Sequence, residues 1–179
     1  MARAGDVLVN PSTGERVTFL QTAADTGGDL VQYDLEFIPR GFVAREHLHP
    51  SQEENHEVLE GPIGLIVDGQ EQRLEAGDAV LVPPRTPHRL VRLREEPVRV
   101  RFTLRPAFET EALLETFFAL ARDGKVGKNG EPPLLQLAVI SREFPELGRP
   151  VRPPVAVQRA ILAPLAVLGR VRGYRARYP

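Results

Sequence analysis

The sequence predicts a mainly β protein, a β-barrel followed by a small helical appendage. Val31, Tyr33, Leu35 and Phe37 alternate with Gln32, Asp34 and Glu36, and Val98, Val100, Phe102 and Leu104 alternate with Arg99, Arg101, Thr103 and Arg105. That period of two marks half-buried strands. Between these segments short apolar runs are broken repeatedly by Gly and Pro, the pattern of a sandwich or barrel. After Pro106 the apolar spacing becomes helical.

From about Val7 to Pro106 the chain reads as strands. Those between the two alternating segments centre on Glu54–Leu59, Ile63–Val67, Gln70–Leu74, Ala79–Val82 and His88–Leu93. Asp68-Gly69 separates two of them and is a two-residue hairpin signal, because both turn positions need φ above zero. Leu113, Leu114, Phe117, Phe118, Leu120 and Ala121 follow helical spacing, with Gly124 as a stop. Leu134 to Ile140 predicts a second helix that ends before Pro145. Gly148 to Pro154 reads as a turn-rich linker, and Val155 to Leu168 as a third helical segment. The expected organisation is a barrel over residues 1–106 and a helical extension over 107–179, packed on the barrel or on a partner subunit.

A chain of 179 residues suits one domain with a substantial core. Its net charge of −1 gives no bulk attraction to nucleic acid, and no reader motif is present, so no nucleic-acid partner is expected. The average hides an asymmetry. Residues 1–146 carry 16 basic against 24 acidic side chains, a net −8, whereas the last 33 residues carry +7 and no Asp or Glu. With no cysteine, disulfides and thiolate ligands are excluded, so a metal site must use nitrogen and oxygen. The absence of an apolar N-terminal run points away from a signal peptide. The apolar stretch Ala160–Leu168 is too short to span a bilayer and contains Pro164. These features together suggest a cytoplasmic protein.

All four histidines lie between His47 and His88. Side chains two apart on a strand share a face, so His47 and His49 can converge on one point. Glu54 follows after a short connection on a strand returning to the same interior. His88 opens a later strand behind a Pro-Pro-Arg-Thr-Pro turn. Three imidazoles and a carboxylate make a site suited to Mn, Fe, Ni, Zn or Co. Four protein ligands on an octahedral ion leave two positions open for chemistry.

These segments resemble the cupin superfamily. Its first motif is written G(X)5HXH(X)3-4E(X)6G, and Gly41, His47, His49, Glu54 and Gly61 match every fixed position. The same spacing selects Glu54 over Glu53, since Glu53 would place Glu60 at the final glycine. The second motif is written G(X)5PXG(X)2H(X)3N; Gly77, Pro83 and His88 match, while Arg85 and Arg92 replace its glycine and asparagine. The resemblance covers roughly residues 30–106. It implies a cupin-type double-stranded β-helix, or jelly-roll barrel, holding one divalent transition metal (Fe, Mn, Ni or Zn) on His47, His49, Glu54 and His88.

His56 shares the face of Glu54 and is a candidate acid or base; its plainer role is a packed histidine lining the pocket. Arg45 has the parity of His47 and is a candidate for meeting an anionic substrate, although a solvent-exposed rim position is the plainer expectation. Tyr33, Phe37 and Phe102 sit on inward-reading faces as core or pocket-lining groups. Glu57 and Glu60 read as solvent-facing.

The resemblance implies a mononuclear metalloenzyme with dioxygenase-like or related oxidative or isomerase chemistry on a small organic molecule. The alternative is a non-catalytic cupin that binds or senses a small ligand. The expected assembly is a homodimer. The charge asymmetry favours docking of the basic C-terminal segment on the acidic barrel or a partner subunit; a peripheral anchor on an anionic membrane surface is the second reading.

Overall fold

The computed structural model describes residues 1–37, 45–93, 97–127 and 130–178. Two antiparallel sheets enclose the main core. The first runs in the order β1 (Val7–Val9), β2 (Arg16–Gln21), β3 (Val31–Phe37), β10 (Val98–Arg105), β5 (Glu53–Glu60), β8 (Ala79–Val82). The second runs in the order β11 (Arg149–Pro150), β4 (His47–Leu48), β9 (His88–Arg92), β6 (Ile63–Val67), β7 (Gln70–Leu74). This is the barrel that the strand pattern predicts, in the jelly-roll form that the resemblance implies. Among the described residues three helices follow the barrel strands, α1 (Thr110–Arg122), α2 (Leu134–Glu143) and α3 (Val155–Val171).

Alternation decides what each strand buries. On β10, Val98, Val100, Phe102 and Leu104 point inward, while Arg99 and Arg105 are exposed. Phe102 is in register with Tyr33 on β3 and with His56 on β5. The Tyr33 and Phe102 rings stack with centroids 5.2 Å apart. Val17, Phe19, Val31, Leu65 and Val100 complete a fully buried centre drawn from both sheets. At the outer face Arg101 forks onto Asp34, at 2.8 and 3.2 Å.

The turns follow local chemistry. Asp68 and Gly69 both take positive φ, 48° and 77°, and Val67 pairs with Gln70 across them. Gly61 closes β5 with φ 74°, and a Cβ there would stand 3.0 Å from the Pro97 carbonyl oxygen. That close approach explains why glycine follows the strand that carries Glu54.

The extension is joined to the barrel at several points. Gln52, almost fully buried, donates from Nε2 to the Pro106 carbonyl at 2.7 Å and to Thr110 Oγ1 at 3.2 Å. The Ala23 amide donates to the Glu111 carboxylate at the start of α1. Residues 148–154, expected as a linker, instead contribute β11, which pairs with β4. Composition reads Gly and Pro as breakers, but β4 offers an edge whose backbone groups such a segment can still satisfy. The third helix runs to Val171, beyond its expected end at Leu168, because Gly169 serves close packing and does not end the helix. Among the described residues no helix is long and apolar enough to cross a membrane.

A Cβ at Gly169 would meet Val139 Cγ2 at 2.8 Å and the Leu135 carbonyl oxygen at 2.9 Å. The backbone atom cannot yield without moving α2 from α3. Gly169→Ala is therefore expected to cost on the order of 1–3 kcal/mol. Urea unfolding checks this as a lower midpoint at unchanged m-value.

Candidate metal centre

The site is assembled from three strands. The short strand β4 lies antiparallel to β9 with His47 opposite His88, and His49 follows directly after it. Glu54 lies on β5, opposite Val82 on β8 and Leu104 on β10. One donor atom from each of His47, His49, Glu54 and His88 lies within 4.8 Å of all the others. Gly41, the first motif position, lies outside the described residues; Gly61 is described above.

Backbone carbonyls orient two of the imidazoles. His47 Nδ1 donates to the Arg45 carbonyl at 2.9 Å, and His88 Nδ1 donates to the Thr86 carbonyl at 3.0 Å. A carbonyl can only accept, so the proton must sit on Nδ1 and Nε2 is left as the lone-pair nitrogen of a neutral ring. Yet His88 Nε2 lies 2.8 Å from Glu54 Oε2. Two acceptors at that distance repel unless a cation, a proton or a metal, sits between them.

His49 makes the same point. Its Nε2 is 2.9 Å from the same Glu54 oxygen but outside hydrogen-bond geometry, and neither buried ring nitrogen has a hydrogen-bond partner. Buried polar atoms are rarely left so. Two donors on one ion at about 2.1 Å each stand at most about 4.2 Å apart, so small side-chain rotations would bring all four within reach of one ion. The residues fit a divalent transition metal.

Electrostatics follow from burial and neighbours. Burial opposes ionisation of Glu54, but the surrounding imidazoles, His56 and His49 foremost, outweigh it and hold the carboxyl well below the usual carboxylate range. Burial also opposes a charge on His88; its hydrogen bond to Glu54 outweighs that and raises its pKa above the ordinary imidazole value. His47 is pushed down to about 4 by burial, against the pull of Glu54. His56 is likewise lowered by burial.

The other sequence candidates fall in two places. His56 is buried beside the cluster, with Nε2 3.7 Å from Glu54 Oε1 and its ring edge-on to Phe102 at 4.9 Å. Tyr33, Phe37 and Phe102 form one aromatic group next to it. The Tyr33 hydroxyl is held well above its usual pKa by burial and then by the Glu54 charge. Arg45 stands at the rim, its side chain 83% exposed and forked onto Glu131 at 2.8 and 3.0 Å. Glu57 and Glu60 lie away from the cluster on the outer side of β5.

The turn before His88 departs from the motif without losing its shape. Arg85, where a glycine is the rule, takes φ 65°. Its amide donates to the His49 carbonyl at 2.7 Å, so the turn is anchored directly on a cluster residue. Sequence reasoning missed this, as it missed the carbonyls of Arg45 and Thr86, because backbone groups carry no residue signature. It also missed the extension's part in the site. Gly148 lies against the cluster, a Cβ there being 3.7 Å from His47 Cδ2 and 3.8 Å from His49 Cε1. Ser51 donates to Glu146 at 2.5 Å beside it. A separate cavity of about 930 Å³, lined by Arg122, Lys125, Gln136, Arg172, Tyr174 and Arg175 among others, lies in the extension and includes none of the four cluster residues.

Residues 34–104 match the family model described as Cupin domain. That match takes in His47, His49, Glu54 and His88. The uncharacterized protein MJ1618 of Methanocaldococcus jannaschii is 27% identical over 74 residues, which cover 41% of this chain and 59% of that protein's length. The solved structure of KdgF from Halomonas sp. is similar over 55% of this chain and 84% of that one, at 24% identity and a TM-score of 0.48. An RmlC-like cupin from Shewanella frigidimarina NCIMB 400 is similar over 58% and 86%, at 24% identity and a TM-score of 0.48.

Gly148→Leu should force the His47 and His49 rings aside, because the larger side chain exceeds the contact space that a Cβ would only touch. Divalent metal uptake, measured by elemental analysis, is expected to fall well below one ion per chain while the circular dichroism spectrum is kept. Full uptake would remove Gly148 from the wall of the site.

Proposed function

We propose that His47, His49, Glu54 and His88 hold one divalent transition metal, Fe, Mn, Ni or Zn, and that the protein is a mononuclear metalloenzyme acting on a small organic molecule by dioxygenase-like or related oxidative or isomerase chemistry. The observation that supports this most is the convergence of two imidazole nitrogens on one buried Glu54 oxygen. Without a cation there, acceptors face acceptors. When bound, such a metal supplies Lewis acidity and a template for substrate.

The chain's own groups then have defined tasks. The carbonyls of Arg45 and Thr86 hold the His47 and His88 rings in the tautomer that presents Nε2. Tyr33, Phe37 and Phe102 keep water from the Glu54 side of the pocket. His56, kept neutral by burial, can accept or hold a proton at Nε2, the nitrogen nearest Glu54. Residues 1–106 form the metal-holding barrel in this reading, and 107–179 an extension packed on it through Gln52, Glu111 and β11. The absence of cysteine supports a cytoplasmic setting.

Protein purified without a histidine tag is expected to carry about one transition-metal ion per chain. His47→Ala, His88→Ala and Glu54→Gln should each lower metal affinity by at least about tenfold; unchanged metal content in all three would end this reading. Metal-loaded protein is then screened for oxygen uptake on phenolic and diketone substrates. Retained metal with no turnover would favour the non-catalytic binding cupin.

Proton competition provides a separate check. The imidazole nitrogens and the carboxylate bind metal only when deprotonated; because His88 is raised above the ordinary imidazole value, apparent affinity should already fall as pH drops through neutrality, with His47 adding to the loss only near pH 4. Metal titrations at several pH values, followed by calorimetry in two buffers, measure this and the protons released.

A further inference from the structure

The third helix is apolar on the side turned away from the protein. Its inner side packs Leu162, Leu165 and Ala166 against Ala138 and Val139 of α2. Its outer side carries Val157, Ile161, Leu168 and Val171, exposed by 44, 49, 40 and 79%, with Val167 beside them at 64%. Steps of four, seven and three residues place the first four on one helical stripe. A contiguous exposed apolar stripe of this kind marks an interaction surface.

The charges around the stripe are of one sign. The chain has no acidic residue beyond Glu146, while Arg159 and Arg170 lie on the helix and Arg172 and Arg175 follow it. Arg177 is held by Glu109 at 2.6 Å and Glu143 at 3.0 Å. Among the described residues Arg152, Arg159, Arg170, Arg172 and Arg175 have no acidic partner. Arg177 thus pairs within the extension, not with the acidic barrel, and those five arginines are left unused.

We infer that α3 seats the protein on an anionic lipid surface, lying in the plane of the interface. An anionic bilayer meets both features at once, burying the apolar stripe among acyl chains and placing the arginines at the headgroups. A second copy of α3 meets only the first, because the pairing would bring like charges together with no carboxylate on either helix. Spanning is excluded by length and composition. Gln158 donates to the Pro150 and Pro153 carbonyls at 2.8 and 2.6 Å, so the seated helix is tied to β11 and through it to the strand carrying His47. The inference does not depend on the metal reading.

Co-sedimentation of the full chain with vesicles tests it. Binding is expected to phosphatidylglycerol–phosphatidylcholine vesicles, weakening with added salt, and little to phosphatidylcholine alone. The exposed double substitution Ile161→Gln with Leu168→Gln should reduce partitioning at least tenfold, and Arg170→Gln with Arg172→Gln should reduce it several-fold, both with unchanged circular dichroism. Pelleting independent of anionic lipid, or unaltered in both variants, overturns the proposal. So does a dimer in sedimentation velocity that the Ile161/Leu168 variant dissolves while the parent protein ignores vesicles, since the stripe would then be a self-interface.

Discussion

A buried carboxylate organises this protein. Glu54 is 5% exposed in an aromatic and aliphatic interior, where an isolated charge would cost several kcal/mol. Three imidazoles, His49, His56 and His88, lie against it within 3.7 Å, two of them converging on a single oxygen. The ionised state of Glu54 is stable only because that much positive or polarisable nitrogen surrounds it. The barrel's arrangement at this end, with β4 and β9 held edge to edge and the turn at Arg85 hydrogen-bonded to His49, maintains that surrounding.

The C-terminal extension belongs to the same construction. Its short strand β11 pairs with β4, Gly148 stands against two of the clustered rings, and Gln52 joins the start of β5 to the start of α1. Removing these contacts would free the two-residue strand that carries His47, since so short a strand has little pairing of its own. The helices therefore bear on the geometry of the centre without contributing a donor atom to it. Arg45, at the rim, is tied to the same extension through Glu131.

Much of this was legible in the chain. Period-two alternation named the inward faces of β3 and β10 because a pleated strand has no other way to divide apolar from polar side chains. Parity likewise put Glu54 and His56 on one face, and the cupin motif that the chain resembles, with its fixed distance to Gly61, separated Glu54 from Glu53. The glycine spacing works because Gly61 must approach the Pro97 carbonyl more closely than a Cβ allows. Where side-chain identity did not carry the information, the reading failed. Pairing of residues 149–150 with β4 is made by backbone groups, and the orientation of His47 and His88 depends on carbonyls any residue could supply.

The sequence by itself determined the residue types at the centre, the strands that bear them and the absence of acid from the last 33 residues, since these are matters of composition and local period. Only the tertiary structure decided which atoms meet. It brought His88 to Glu54 across 34 residues of chain, laid Gly148 against the histidine rings, and turned the stripe from Val157 to Val171 away from α2. The physical reason is that local period fixes which face a side chain occupies, whereas the approach of distant faces depends on how sheets, turns and helices pack together.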